Sequence, residues 1–276
     1  MKGILMHPSS SSRYTTVARV LAPPALDSTP ASLAERLSRV YEFIQRSNYV
    51  FGSPVGPFFV GGRHFHLHRF VYFGPNASDA SLRVAFLAGW DHRDIRPTLA
   101  LASIVEGLAF EPDLGHGLNL SFFPLVDVLG ATALSAPRAL DRENWVHSRY
   151  PELSLLEKDA RVRGYHGFVR LESSEGDDVV SVRLRAAAPI ENFAPSTELI
   201  SSEDVEPFAV RWESDPARHF SDGPLSISDD LPVPPFELTV RIPSAWPHEL
   251  YSRAAATILK RFVLRYRGFI SYAQHL

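Results

Sequence analysis

The chain has 276 residues, 45% of them hydrophobic, enough to bury a sizeable core in one large domain or two small ones. Its 28 basic and 31 acidic residues give a formal net charge of -3 and are spread without a block of either sign, which excludes the electrostatic footprint of a nucleic-acid or anionic-membrane binder. Cysteine is absent, so disulfides, thiolate metal sites and a cysteine nucleophile are excluded, while His, Asp and Glu stay open as metal ligands.

Residues 1–28 mix serine, proline and short apolar runs and read as an N-terminal arm. The apolar run at 4–6 is too short for a signal-peptide core, which points to a cytoplasmic protein, and no run approaches the ~20 residues of a membrane-spanning helix. Thr29 as N-cap and Pro30 at the first helical position open a helix predicted over 30–46, with Leu33, Leu37, Val40, Tyr41 and Ile44 on one face. Residues 57–60, the Gly61-Gly62 turn and the alternating run 63–73 read as a β-hairpin. An apolar strand at 82–88 ends at Gly89 and leads to a helix at 97–108. Further strands are predicted at 118–126, 167–171 and 179–185, with a helix at 152–162 before the last two. Residues 189–235, rich in proline, serine and acids, read as an irregular insertion whose one strand-like piece is 208–212. A late strand at 236–242 precedes a long amphipathic helix at 247–267, with Leu250, Ala254, Ile258, Leu259, Phe262 and Val263 facing inward. Such alternation predicts an α/β fold over 29–276, a mixed, largely parallel sheet with helices on both faces.

In an open α/β sheet the ligand crevice lies beyond the C-terminal ends of the strands. The segment Gly89, Trp90, Asp91, His92, Arg93, Asp94 leaves a buried strand at such a place and packs an imidazole, two carboxylates and a guanidinium together. It is either a ligand or catalytic cluster or a polar connector with capping carboxylates. His64, His66 and His68 alternate on a predicted strand and could share one face toward a transition metal, although a structural role is the stronger reading. No Gly-x-Ser-x-Gly elbow nominates a serine nucleophile, and no glycine-rich phosphate loop signals a dinucleotide fold.

The strand, Gly89, His92 and Asp94 before a helix resemble the metal-binding start of the zinc carboxypeptidase and succinylglutamate desuccinylase-aspartoacylase superfamily. The run Pro124, Leu125, Val126, Asp127, Val128, Leu129, Gly130 resembles that family's Pro-Val-Val-Asn-Pro-x-Gly segment, with Asp127 replacing the asparagine. The resemblance covers roughly residues 40–276 in element order and implies a zinc-carboxypeptidase-like fold. It also implies zinc ligands at His92, at position 95, which is Ile95, and at position 172, which is Glu172, and a general base at position 241, which is Arg241. His92, Asp94, Glu172 and Arg241 are thus the residues of a degenerate catalytic site. Arg142 and Arg149, with Asn144 and Asp127, match the family's substrate-holding region, and an arginine pair suits bidentate carboxylate recognition.

An aliphatic side chain cannot bind a metal and a guanidinium cannot deprotonate water. The resemblance therefore implies a divergent member without standard zinc hydrolysis, holding no metal or other cofactor and binding a small acidic or peptide-like ligand in the old crevice. The alternative keeps zinc or another divalent metal on His92, Asp94 and Glu172 and hydrolyses an amide or C-terminal peptide bond. Neither nucleic acid nor membrane is an expected partner. On the first reading Arg241 lies within ~4 Å of Glu172 or Asp94, as an ion pair requires. The 189–235 insertion is expected at the crevice mouth.

Overall fold

The computed structural model describes residues 30–78, 81–110, 117–132, 140, 145–185, 205–213 and 236–273. The elements run α1 (Pro30–Ile44), β1 (Val50–Gly52), β2 (Val55–Val60), β3 (Arg63–Leu67), β4 (Phe70–Phe73), β5 (Leu82–Leu87), α2 (Arg96–Phe110), β6 (Leu118–Phe123), α3 (Val128–Ala131), α4 (Pro151–Arg163), β7 (Gly167–Ser174), β8 (Val180–Arg185), β9 (Val210–Trp212), β10 (Phe236–Pro243) and α5 (His248–Ala273). The predicted arm, Arg142, Asn144 and most of the insertion lie outside the described residues.

Eight strands form one sheet in the order β1-β4-β6-β5-β7-β10-β8-β9, and β2 and β3 form a separate hairpin. The central strands β6, β5, β7 and β10 are parallel to one another, β4 and β8 are antiparallel to the outer strands of that block, β6 and β10, and β9 runs parallel to β8. The central strands are buried on both faces, so they read as near-continuous apolar runs. Val84, Phe86, Leu120, Phe122, Val169, Leu171, Leu238 and Val240 bury one face under Ala100, Leu101 and Val105 of α2 and Ala254, Ile258 and Phe262 of α5. Ala85, Leu87, Phe123 and Phe168 bury the other face against Leu153, Leu156 and Ala160 of α4 and against Phe58 and Leu67 of the hairpin.

The predicted strand 63–73 is cut in two. Strand β3 ends at Leu67, and β4 leaves the hairpin to pair with β6. The break is made by Arg69, which is buried and donates through Nε to the Ser53 carbonyl (2.9 Å) and through a terminal nitrogen to Asp159 of α4. Strand β6 stops before Pro124, whose ring nitrogen has no hydrogen to donate to a ladder. Strand β1 and the single turn α3 are too short to show a period and were not expected from sequence. Of the insertion, the described part, Val205 to Glu213, runs along the edge of the sheet through β9, and it reaches the end of β10 where Glu213 meets Arg241 and Phe208 packs on Trp246.

Register decides where charge sits. In the parallel pair β7–β10, Arg170 opposes Thr239 and Glu172 opposes Arg241; across β10–β8, Glu237 opposes Arg185 and Arg241 opposes Ser181. Opposed residues share a face, so three adjacent strands put a polar ladder on the face that bears Phe168, while Val169, Leu171, Leu238 and Val240 stay apolar on the other. Among the described residues no helix is long and apolar enough to cross a membrane.

Candidate functional site

The ends of β5, β7 and β10 open into a crevice of about 580 Å³, whose lining includes Trp90, Asp91, Asp94, Arg96, Glu172 and Glu175. Gly89 lets the chain turn out of β5. Its φ is +64°, and a methyl there would sit 2.6 Å from Thr98 Oγ1 and 2.7 Å from the Pro124 carbonyl oxygen. The turn is fixed to the end of β6: the Ala88 amide donates to the Phe123 carbonyl (2.9 Å), the Val126 amide to the Ala88 carbonyl (3.0 Å) and the Asp127 amide to the Gly89 carbonyl (2.8 Å).

Within the loop the charges are already paired. The exposed Arg93 grips Asp91 through two nitrogens (2.6 and 2.9 Å), and its backbone amide donates to the same carboxylate (3.0 Å). The Arg93 hydrogen bond holds the Asp91 carboxyl down to about 2, against a smaller opposing effect of burial. Asp94 accepts from the Arg96 Nε (3.1 Å) and more weakly from its amide (3.3 Å), so it caps the start of α2. Ile95 packs inward and is buried.

His92 is held by Asp127. Its Nδ1 meets Asp127 Oδ2 at 2.7 Å, while Asp127 Oδ1 accepts the Gly130 amide (3.1 Å). Asp127, expected from sequence to face a ligand, is 1% exposed and holds the imidazole and the start of α3 at once. Gly130 is required beneath this pair, since a methyl would overlap both the carboxylate and the imidazole.

Glu172, 5% exposed, lies between two guanidiniums: Arg241 Nε is 3.4 Å from its Oε2, and Arg170 Nε is 3.7 Å from its Oε1. Arg241 reaches both oxygens of Glu213 at 3.0 Å. Burial lowers the Arg241 pKa, but the carboxylates of Glu172 and Glu213 outweigh it and the net shift is upward, so the cation is permanent. Arg170, fully buried, donates to Thr239 Oγ1 (2.9 Å), pairs with Glu237 (3.0 Å) and lies 5.9 Å from the Trp90 ring centre. Tyr251 of α5 donates to the Glu172 carbonyl (3.1 Å) and ties the end of β7 to the helix layer.

Of the four expected catalytic positions, the fold puts Glu172 and Arg241 in contact; Asp94 lines the same crevice as Glu172 but bonds Arg96, and His92 bonds Asp127. Arg149 is exposed just before α4 and is not part of the crevice lining. His64 packs its ring on Phe59 (4.2 Å), His68 contacts Tyr41 and His66 is exposed, and among the described residues the three do not group to hold a metal. Sequence reasoning missed Arg170, Glu237, Thr239 and Glu213. The alternate-residue polarity of β7 and β10, Arg170 with Glu172 and Glu237 with Thr239 and Arg241, was the available signal.

No protein-family profile matches the chain. No curated protein matches it in sequence. Solved structures do. A metallo-carboxypeptidase from Burkholderia cenocepacia superposes with a TM-score of 0.63 at 16% identity, over 85% of this chain and 69% of that one. A Pseudomonas aeruginosa metallo-carboxypeptidase in complex with (2-guanidinoethylmercapto)succinic acid gives 0.60 at 14% identity, over 85% and 69%. Bovine thrombin-activatable fibrinolysis inhibitor, in complex with tick carboxypeptidase inhibitor, gives 0.57 at 11% identity, over 88% and 97%. The chain therefore has the metallocarboxypeptidase fold.

Among the described residues, those at the expected ligand positions do not fit the metal that this fold implies. Among the described residues no three His, Asp or Glu side chains are grouped to hold an ion, because each expected donor faces another protein group.

Proposed function

We propose that this chain is a carboxypeptidase-fold protein without zinc-water hydrolysis, and that its crevice binds a small peptide-like ligand. The contact between Arg241 and Glu172 carries the proposal. A carboxylate already neutralised by one guanidinium at 3.4 Å and another at 3.7 Å has little charge left for a divalent ion, and such an ion would meet two cations at close range.

The lining also favours one ligand class. Of its acids, Asp91 is held by Arg93, Asp94 by Arg96 and Glu172 by Arg241 and Arg170, which leaves Glu175 as the lining acid with no ion pair among the described residues. A ligand bearing an amino or guanidino group suits this acid better than one bearing only carboxylates. Glu175, exposed at the rim, is the group placed to receive it.

Metal analysis of protein purified without chelator or nickel resin tests the first half, with far less than one equivalent expected. Calorimetry with short peptides and their N-acetylated forms tests the second: free amines bind, acetylation weakens binding at least tenfold, and Glu175→Gln does the same. One equivalent of tightly held metal that is lost in Glu172→Gln overturns the proposal in favour of a metal-dependent amide or C-terminal peptide hydrolase.

A further inference from the structure

On the opposite face of the sheet from the charged ladder, α2 and α5 pack side by side and leave a groove of about 360 Å³ between them. Its floor is the stacked pair Phe86 and Phe122, with ring centres 4.9 Å apart and planes within 11°. Leu108, Leu259 and Val263 form apolar walls. The groove follows α5 from Ser252 to Val263, roughly 16 Å at 1.5 Å per helical residue, so it is long and narrow.

Two features separate this groove from an ordinary imperfect contact between helices. Gly107 lies inside α2 with a helical backbone, and a methyl added to it would meet nothing within 4 Å. Glycine is a poor helix residue, and here neither a left-handed turn nor a close approach demands it. What it does is leave the groove open. Lys260 lines the same groove, is exposed, and makes no ion pair among the described residues. A free cation beside a long apolar trough complements a molecule with an anionic head and an unbranched apolar tail.

We infer that the groove between α2 and α5 binds a medium-chain alkyl carboxylate, its tail over Phe86 and Phe122 and its carboxylate at Lys260. Gly107 and Lys260 do not line the crevice at the strand ends, so the site is independent of the one proposed above.

The test is calorimetric titration of the full chain with decanoate below its micelle-forming concentration, and with decyltrimethylammonium as the cationic counterpart. Saturable binding of about one decanoate, at least tenfold tighter than the ammonium, is expected. Gly107→Leu fills the groove with a better helix former and should bind decanoate at least tenfold more weakly, while melting at or above the parent temperature. Lys260→Gln should bring the two probes to within about threefold of each other. The inference is overturned if the parent shows no saturable decanoate binding, or if well-folded Gly107→Leu binds decanoate as the parent does, or if Lys260→Gln keeps the full preference for the carboxylate.

Discussion

Replacing Arg170 with methionine removes a guanidinium that is 1% exposed and keeps a side chain of similar reach. Two carboxylates then lose their inner cation, Glu237 at 3.0 Å and Glu172 at 3.7 Å, and Thr239 loses its donor. Each acid keeps an outer partner: Arg185 is 3.7 Å from Glu237 and Arg241 is 3.4 Å from Glu172. Breaking a buried ion pair costs about 3–5 kcal/mol, and the surviving cations place this change at the lower end, about 3 kcal/mol. Arg241→Met is the contrasting case, because that side chain is 27% exposed, Glu213 is 29% exposed and Glu172 keeps Arg170. Its cost should resemble that of a wetter pair, about 1 kcal/mol or less. Urea unfolding followed by circular dichroism measures both. The double variant Arg170→Met with Glu237→Gln should recover about 1 kcal/mol relative to Arg170→Met, since it removes a carboxylate left short of cations. Equal costs for the two arginines, or a double variant weaker than Arg170→Met, would refute the assignment of Arg170 as the inner cation of the ladder.

Gly89→Ala should destabilise the fold by about 2 kcal/mol or more, because the backbone there is left-handed and the methyl has no room; a thermal melt within 1 °C of the parent would contradict that geometry. Acid should destabilise the protein from about pH 6.5 downward, because the pKa of His166 is lowered by burial first and by the Arg83 charge second, and those of His68 and His248 are lowered by burial first. With the folded pKa below the unfolded one, the unfolded chain takes up protons that the folded chain refuses, so stability is full above the unfolded value near 6.5 and declines as pH falls below it. His166 Nδ1 accepts the Arg83 amide (3.0 Å), so His166→Asn, which offers an acceptor that does not titrate, should narrow the difference in melting temperature between pH 7.5 and 5.5. An unchanged difference would show that His166 is not among the groups responsible.

Helices α1, α2, α4 and α5 were legible because their signals are local: Pro30 at the start of α1 and the inward stripe of α5 act within a few residues, whereas the single turn α3 is too short to show a period. Strands β5, β6, β7 and β10 were legible as apolar runs. The break at Arg69 was not, because alternation continues through it and its partner Asp159 is 90 residues away. The site was legible in outline only. The loop after β5 was marked by its density of polar groups, and the plainer reading, a connector with capping carboxylates, describes Asp91 and Asp94 well. The pairing of Glu172 with Arg241 depends on the parallel register of strands 69 residues apart, and the resemblance pointed to it where composition could not. The same resemblance grouped His92 with Glu172. It could not foresee that a carboxylate at position 127, once buried, would claim the imidazole.

The fastening of the β5 loop to the end of β6 has a kinetic meaning. Three backbone hydrogen bonds and the His92–Asp127 contact fix the turn that begins this wall of the crevice, and Asp91 and Asp94 are locked to arginines two residues away. Little ordering entropy remains to be lost there when a guest arrives. Arrival should then be fast and nearly independent of ligand size among small peptides, and differences in affinity should appear in residence time. Such a wall behaves as a mould, and a mould discriminates by shape and charge already in place.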